Sequence, residues 1–280
     1  VKFTTGLHIR QFGRFYGVFS RKSYNQYGLC LVAIVSMLAG CITLPPAQRQ
    51  DLQRASQLYT QGRYHSATAK LDDIIKTHPQ ALEIAEVYYL RGLCRLKGRM
   101  PQRSADDFKK AISKSRRKDL TARSKASLAA LAFKAGKWKQ AADLYAEALP
   151  DLPDQPPKDK ILFSAGLCLQ RIGRWKESRR RFNELLNTFG NRPLAKDARR
   201  MVRWDHPYYA IQVAAFSSAQ SASRMVQELR REGFDATQEF LPRNRRSLWI
   251  VMTGSYPSYE DAVLGLKHVN RSHPDAFIIP

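Results

Sequence analysis

Only four cysteines stand among 280 residues, and acidic side chains are scarce, 24 Asp and Glu against 47 Lys and Arg. The cysteines do not make a disulfide framework. Cys30 lies in an apolar run, while Cys94 and Cys168 each end the same local word, Gly92-Leu93-Cys94 and Gly166-Leu167-Cys168. Equivalent positions of stacked helices, with a whole repeat between them, lie beyond the roughly 7 Å between Cα atoms that a disulfide tolerates. Both therefore read as small buried hydrophobes. Metal-ligand spacing is missing too: His65, His78, His206, His268 and His273 are scattered, so no metal and no other cofactor is expected. No Gly-x-Ser-x-Gly elbow occurs, neither Cys94 nor Cys168 has a His near it in sequence, and carboxylates pair only along helices. These absences argue against an enzyme. The apolar run from Leu29 to Ala39 is too short for a comfortable span of hydrocarbon.

The formal charge of +23 is unevenly spread. Between Arg91 and Lys139 sixteen Lys or Arg face three Asp or Glu, whereas the stretch after Tyr208 is close to balanced. Such a stretch is either the solvated outer face of helices or a surface for an acidic partner or anionic lipid.

Between Asp51 and Trp204 a pattern recurs with a period in the mid to upper thirties. Its most legible part is a turn and the start of a helix: Gly62-Arg63-Tyr64 then Ala67 and Leu71; Gly136-Lys137-Trp138 then Ala141 and Tyr145; Gly173-Arg174-Trp175 then Ser178 and Phe182. Glycine permits the positive φ that ends one helix and turns into the next. The aromatic packs back over the turn, and the small residue lets two helices approach. After Gly98 the small residue and the aromatic arrive one place late, at Ser104 and Phe108, which reads as a one-residue insertion in that turn. Leu194 to Trp204 reads as a closing helix, and the proline-rich link from Pro150 to Lys160 lengthens one turn without separating domains.

After His206-Pro207 the periodicity changes. Tyr209–Phe216 alternates as a strand does, Ser217–Glu232 is amphipathic and ends at Gly233, and Asp235–Leu241 reads as a second strand. The plan then recurs with a strand over Leu248–Gly254, a helix over Ser258–Val269 and a strand over Ala276–Ile279. Ser218 and Ser258 are placed to cap their helices. Two such halves predict a β-α-β-β-α-β domain, an antiparallel sheet with both helices on one face and the other face open. Alternation puts Ala210, Gln212 and Ala214 on the open face of the first strand, and Leu248, Ile250 and Met252 on that of the third.

Three resemblances follow from these words. Leu38-Ala39-Gly40-Cys41, behind the basic residues Lys2, Arg10, Arg14, Arg21 and Lys22, resembles the lipobox of bacterial lipoproteins. That resemblance implies a cleaved signal peptide over 1–40, lipid on Cys41 with a short linker over 41–50, and, with Ile rather than Asp at position 42, anchoring on the periplasmic side of the outer membrane. The 51–204 array resembles tetratricopeptide repeats, with Ala55, Leu58, Gly62, Ala67, Leu71, Ile74 and Pro79 at the family positions of the first unit. It implies an all-α superhelix whose concave face binds a protein partner, which the sequence does not identify. The 208–280 tail, through Tyr209-Ala210-Ile211-Gln212-Val213-Ala214-Ala215-Phe216, Val251-Met252-Thr253-Gly254-Ser255-Tyr256 and Glu260-Asp261-Ala262, resembles the SPOR (sporulation-related repeat) domain.

The last resemblance implies binding to peptidoglycan, in particular to glycan strands stripped of stem peptides by amidases at division septa. Gln212 matches a family glutamine on the glycan face. Ala214 replaces the glycine usual after Gln-Val, so its methyl is expected in the groove. Arg243, Arg245 and Arg246 either donate hydrogen bonds to N-acetyl carbonyls and lactyl carboxylates or form a solvated hairpin loop. The β-α-β-β-α-β order is shared with RNA-binding folds, but the open face lacks stacking aromatics and an envelope location excludes nucleic acid. The whole reads as a non-catalytic lipoprotein joining membrane, repeats and cell wall, or as an adaptor of an envelope or secretion assembly whose tail only localises it.

Overall fold

The computed structural model describes residues 43–243 and 246–280. The lipobox and Cys41 lie outside the described residues, as does Arg245. Leu44–Pro280 forms one compact unit.

Among the described residues, nine helices build the first part: α1 (Pro46–Thr60), α2 (Tyr64–Thr77), α3 (Ile84–Lys97), α4 (Pro101–Lys114), α5 (Lys118–Lys134), α6 (Trp138–Ala148), α7 (Lys158–Arg171), α8 (Trp175–Phe189) and α9 (Leu194–Arg203). Consecutive helices pack into four hairpins, α1/α2 to α7/α8, closed by α9, and the hairpins stack into a superhelix. Single hairpins of this size cannot bury their apolar faces; stacking makes the core continuous. The link between α6 and α7 keeps its place in the stack because Leu149 and Leu152 are buried in it.

The four hairpin turns share one hydrogen-bond pattern. In the first, Gly62 N–H donates to Tyr59 O and Arg63 N–H to Leu58 O; the third and fourth repeat it around Gly136 and Gly173, whose φ angles are 72° and 76°. The paired bonds and left-handed residue satisfy the last carbonyls of the incoming helix. The second turn corrects the sequence reading. Arg99 N–H donates to Leu96 O and Met100 N–H to Arg95 O, so the left-handed position is Arg99, with φ 59°, and not Gly98. Ser104 follows Arg99 as Ala67 follows Gly62, so nothing is inserted: the glycine stands one place early. Arg99→Gly is expected to stabilise the array by about 0.5–1 kcal/mol, the left-handed penalty of a side chain less the extra chain entropy of glycine. A higher urea midpoint at unchanged m-value is the readout.

Close approach within hairpins uses a second glycine device. The Ser104 hydroxyl donates to Gly92 O, and the Ser178 hydroxyl to Gly166 O, both at 2.8 Å. Phe108 and Phe182 pack against these glycines, where a Cβ would meet the rings at 2.7 and 2.6 Å. Cys94 and Cys168, two residues on from each glycine, are buried and unpaired, and burial pushes their thiols up to about 11 and about 12.

The elements of the second part are β1 (Tyr209–Phe216), α10 (Ala219–Arg231), β2 (Ala236–Arg243), β3 (Arg246–Tyr256), α11 (Tyr259–Val269) and β4 (Phe277–Ile279). The strands form one sheet of order β2-β3-β1-β4 in which every pairing is antiparallel. The Ser218 and Ser258 side chains accept from backbone N–H groups three residues on and start α10 and α11. Both helices cover one face: Ala222, Val226 and Leu229 pack on Val251 and Ala236, and Val269 packs on Ile211.

The sheet domain is seated on the fourth hairpin. Trp175 donates its indole N–H to Pro257 O at 3.2 Å and meets the Tyr209 ring edge-on at 4.8 Å. The Arg171 guanidinium lies 3.9 Å from the centroid of the Tyr259 ring, and a Cβ on Gly173 would come within 3.1 Å of Pro257 O. Burial holds the Tyr209 hydroxyl well above the usual tyrosine range.

Candidate functional site

The face of the sheet turned away from α10 and α11 is read from the ladder. Gln212 stands opposite Met252 on β3 and Phe277 on β4; Glu239 and Leu241 of β2 stand opposite Ile250 and Leu248. Residues opposite one another share a face. The face thus holds Ala210 and Gln212 from β1, Leu248, Ile250 and Met252 from β3, Glu239 and Leu241 from β2, and Phe277 and Ile279 from β4. Five of the expected residues are brought together here: Ala210, Gln212, Leu248, Ile250 and Met252.

Ala214 is not among them. Gln212 pairs with Met252 but Ala214 with Val251, so Val213 is an extra residue, a β-bulge. The bulge shifts the alternation by one place. Val213 and Ala214 both pack toward α10, and Ala215 takes the outer face. The methyl of Ala214 therefore does not stand in the groove. A second irregularity opposite Tyr209 and Ile211 is absorbed at Gly254, whose φ of 75° and contact with the Tyr256 ring leave no room for a side chain. Arg243 pairs with Arg246 across the hairpin end, while Arg245 lies outside the described residues.

The face is also not open. Trp204 packs on Ala210, Ile250, Met252 and Ile279, with Trp175, Tyr208, Leu241 and Leu248 around them. The segment Trp204–Tyr208, between α9 and β1, folds over the sheet and converges its rings: Trp204 to His206 at 4.8 Å, His206 stacked on Tyr208 at 4.9 Å. Polar ties hold it. His206 Nε2 meets Glu239 Oε2 at 2.8 Å, the Trp204 indole donates to Tyr208 O at 2.7 Å, and Arg179 of α8 donates to Trp204 O and to the Asp205 carboxylate.

Beneath this cover Gln212 is 6% exposed, and its Oε1 is buried without a hydrogen-bond partner among the described residues. A buried acceptor left unpaired costs about 1–3 kcal/mol. Sequence reading missed Trp204, His206, Tyr208 and Glu239. The Trp-x-His-x-Tyr spacing carries a signal, but it falls where one helix ends and the periodicity changes, and periodicity does not read such a segment.

Residues 205–280 match the family model of the SPOR domain. The match takes in the SPOR sheet, both of its helices and all but the first residue of the cover. Comparison with curated proteins finds no match. Among solved structures, the repeats are similar to YrrB, described as a TPR protein with an unusual peptide-binding site, at 20% identity and a TM-score of 0.45 over 54% of this chain and 72% of that one. They are similar also to the MamA AMB-1 structure, at 17% identity and a TM-score of 0.46 over 56% and 79%. A third, the Pseudomonas aeruginosa pilF structure, is 15% identical with a TM-score of 0.45 over 67% and 85%.

The SPOR domain is one candidate surface, and the repeats carry another. A cavity of about 420 Å³ lies where α3, α5 and α7, the first helices of successive hairpins, meet the Leu152–Lys158 link. Its walls include Tyr89, Ala126, Ala130, Ile161 and Ser164, with Arg123, Lys158 and Lys160 as cations. Burial raises the Tyr89 hydroxyl above its usual range, with a hydrogen bond to Ser127 opposing it. The basic stretch between Arg91 and Lys139 divides in two. Arg91 and Arg95 are turned inward onto Asp72 and Asp107, whereas Lys97, Arg103, Lys109, Lys110, Lys114 and Lys118 are exposed.

Proposed function

We infer that this chain is a non-catalytic protein of the bacterial cell envelope that binds peptidoglycan through its SPOR domain and a partner protein through its repeats. The observation that carries the reading is the SPOR match over 205–280 together with Gln212 at the centre of the sheet face, its amide oxygen unpaired. A glycan strand offers N-acetyl N–H groups and hydroxyls that such an acceptor can use, and sugar rings with apolar faces suited to Ala210, Ile250 and Met252. The finer reading is that the preferred ligand is amidase-stripped glycan at division septa and that Cys41 carries a lipid anchoring the chain to the outer membrane. The lipobox words support it, and metabolic labelling with a fatty acid, lost in Cys41→Ser, tests it.

Retention of the Leu44–Pro280 unit on sacculi, untreated and amidase-treated, tests glycan binding. Gln212→Ala is expected to weaken retention several-fold while a cooperative melting curve shows the domain still folded, since Gln212 Oε1 makes no hydrogen bond among the described residues. No retention on either material, by the parent or by an Arg179→Ala variant, removes the glycan reading.

A second reading, an envelope adaptor whose work lies in the repeats, is favoured by the covered state of the SPOR sheet face. Deleting 208–280 distinguishes the two. Undiminished function in cells supports the adaptor, and loss supports the cell-wall binder.

A further inference from the structure

The sheet face that the glycan reading requires is occupied by the chain itself. We propose that Trp204–Tyr208 is a displaceable cover, latched by the fourth repeat, that competes with glycan for the SPOR face; this rests on the glycan reading above.

Three observations carry it. The first is what lies underneath: Gln212 keeps a buried carbonyl oxygen with no partner among the described residues, so the cover shields a polar group without pairing it. Settled internal packing pairs most such groups. A ligand face held shut does not have to.

The second is how the cover is fastened. It is no regular element but five residues whose rings fold onto Ala210, Ile250, Met252 and Ile279. Its external polar ties come from two side chains, Glu239 on the sheet and Arg179 on α8. The Asp205 side chain that meets Arg179 is 82% exposed, and exposed pairs are weak fastenings. Space to move exists beside it, in a cavity of about 470 Å³ bounded by Trp175, Lys176, Arg179, Arg180 and Asn183 together with Asp205 and Pro207 of the cover.

The third is where the fastening sits. Arg179 and Trp175 belong to α8, the last helix of the fourth hairpin, and Trp175 packs into the same apolar cluster as Trp204. The closed state is therefore held partly by the repeats. An event that shifts α8 loosens the cover, and glycan that displaces the cover loosens its grip on α8, the reciprocity any coupling between two sites obeys. The apparent affinity for glycan is the intrinsic one reduced by the fraction of molecules that are open.

Arg179→Ala removes the repeat-side latch without touching the sheet. The probe is amidase-treated sacculi for binding, with soluble amidase-treated glycan oligosaccharides for hydrogen exchange, both on the Leu44–Pro280 unit. Arg179→Ala is expected to bind about three- to ten-fold more tightly than the parent, the effect of losing an exposed ion pair and one hydrogen bond from the closed state. The amides of Trp204, Asp205, His206 and Tyr208 are expected to exchange faster in the variant than in the parent, and faster in the parent when the oligosaccharide binds. Equal affinity, with exchange at 204–208 unchanged or slowed by glycan, makes the cover a permanent part of the fold and overturns the proposal while the glycan reading stands. If neither protein binds although exchange shows the cover loosened, the glycan reading falls and the proposal with it. Trp204→Ala, a deeper lesion checked for folding by its melting curve, is expected to move affinity in the same direction as Arg179→Ala; a change in the opposite direction also overturns the cover.

Discussion

Asp107→Ala is expected to destabilise the repeat array by about 3–5 kcal/mol, the range found when one partner of a buried ionic network is removed. Asp107 of α4 is 1% exposed and lies between two arginines of α3: it accepts hydrogen bonds from Arg91 at 2.6 and 3.1 Å and forms a salt bridge with Arg95 at 2.9 Å. Asp72 of α2 meets both arginines from the other side. Burial works against the charge of Arg91, but hydrogen bonds and attraction from Asp107 and Asp72 outweigh it and hold its pKa above the ordinary value. Removing Asp107 leaves Arg91 buried with one partner, half-exposed Asp72. The measurement is helical signal against urea, with Asp106→Ala, its exposed neighbour, as the control expected within about 0.5 kcal/mol of the parent. Replacing the pair together, Arg91→Met with Asp107→Leu, is expected to recover most of the loss, since no charge is then stranded. A loss under 1 kcal/mol for Asp107→Ala would mean that water reaches Arg91.

Phe182→Ala is expected to cost about 3–5 kcal/mol as a large-to-small change in a closed core. The ring is 1% exposed and lies between Gly166 and Phe163, whose ring centroid is 5.5 Å away. The sharper test is the glycine it rests on. In an exposed helix Gly→Ala stabilises by about 1 kcal/mol. At Gly166 the new methyl would stand 2.6 Å from the ring, so Gly166→Ala is expected to destabilise by about 1–3 kcal/mol. In a Phe182→Leu background the same change is expected to lose much of its cost, a coupling that only a direct contact produces. Denaturant midpoints of the four proteins give the cycle. Additivity would place the ring elsewhere.

Much of this architecture was legible because it is local. Gly62, Gly136 and Gly173 mark turns since a left-handed residue is needed at a fixed distance from each small residue that follows. The strands of the SPOR domain were legible for a similar reason: alternation over Tyr209–Gln212 and Leu248–Thr253 reports which side of its own strand each residue takes. Where the local rule had a competitor it failed. Gly98 pointed to the second turn, but the helix end there is set by hydrogen bonds to Leu96 and Arg95, and these put Arg99 in the left-handed position. Ala214 followed the alternation on paper, but the bulge at Val213, which depends on how β3 pairs with β1, turned it toward α10.

By itself the sequence determined the helical hairpins, the β-α-β-β-α-β order and the face on which Gln212 lies, because each depends on neighbours within a few positions along the chain. It did not determine what lies on that face. Trp204 reaches Ile250 and Ile279 only because α9 ends where it does, Trp175 seats the SPOR domain on the fourth hairpin, and Arg179 holds the intervening segment down. Periodicity records the side of an element a residue occupies; only the packing of distant elements decides whether that side meets water, a ligand or the rest of the chain.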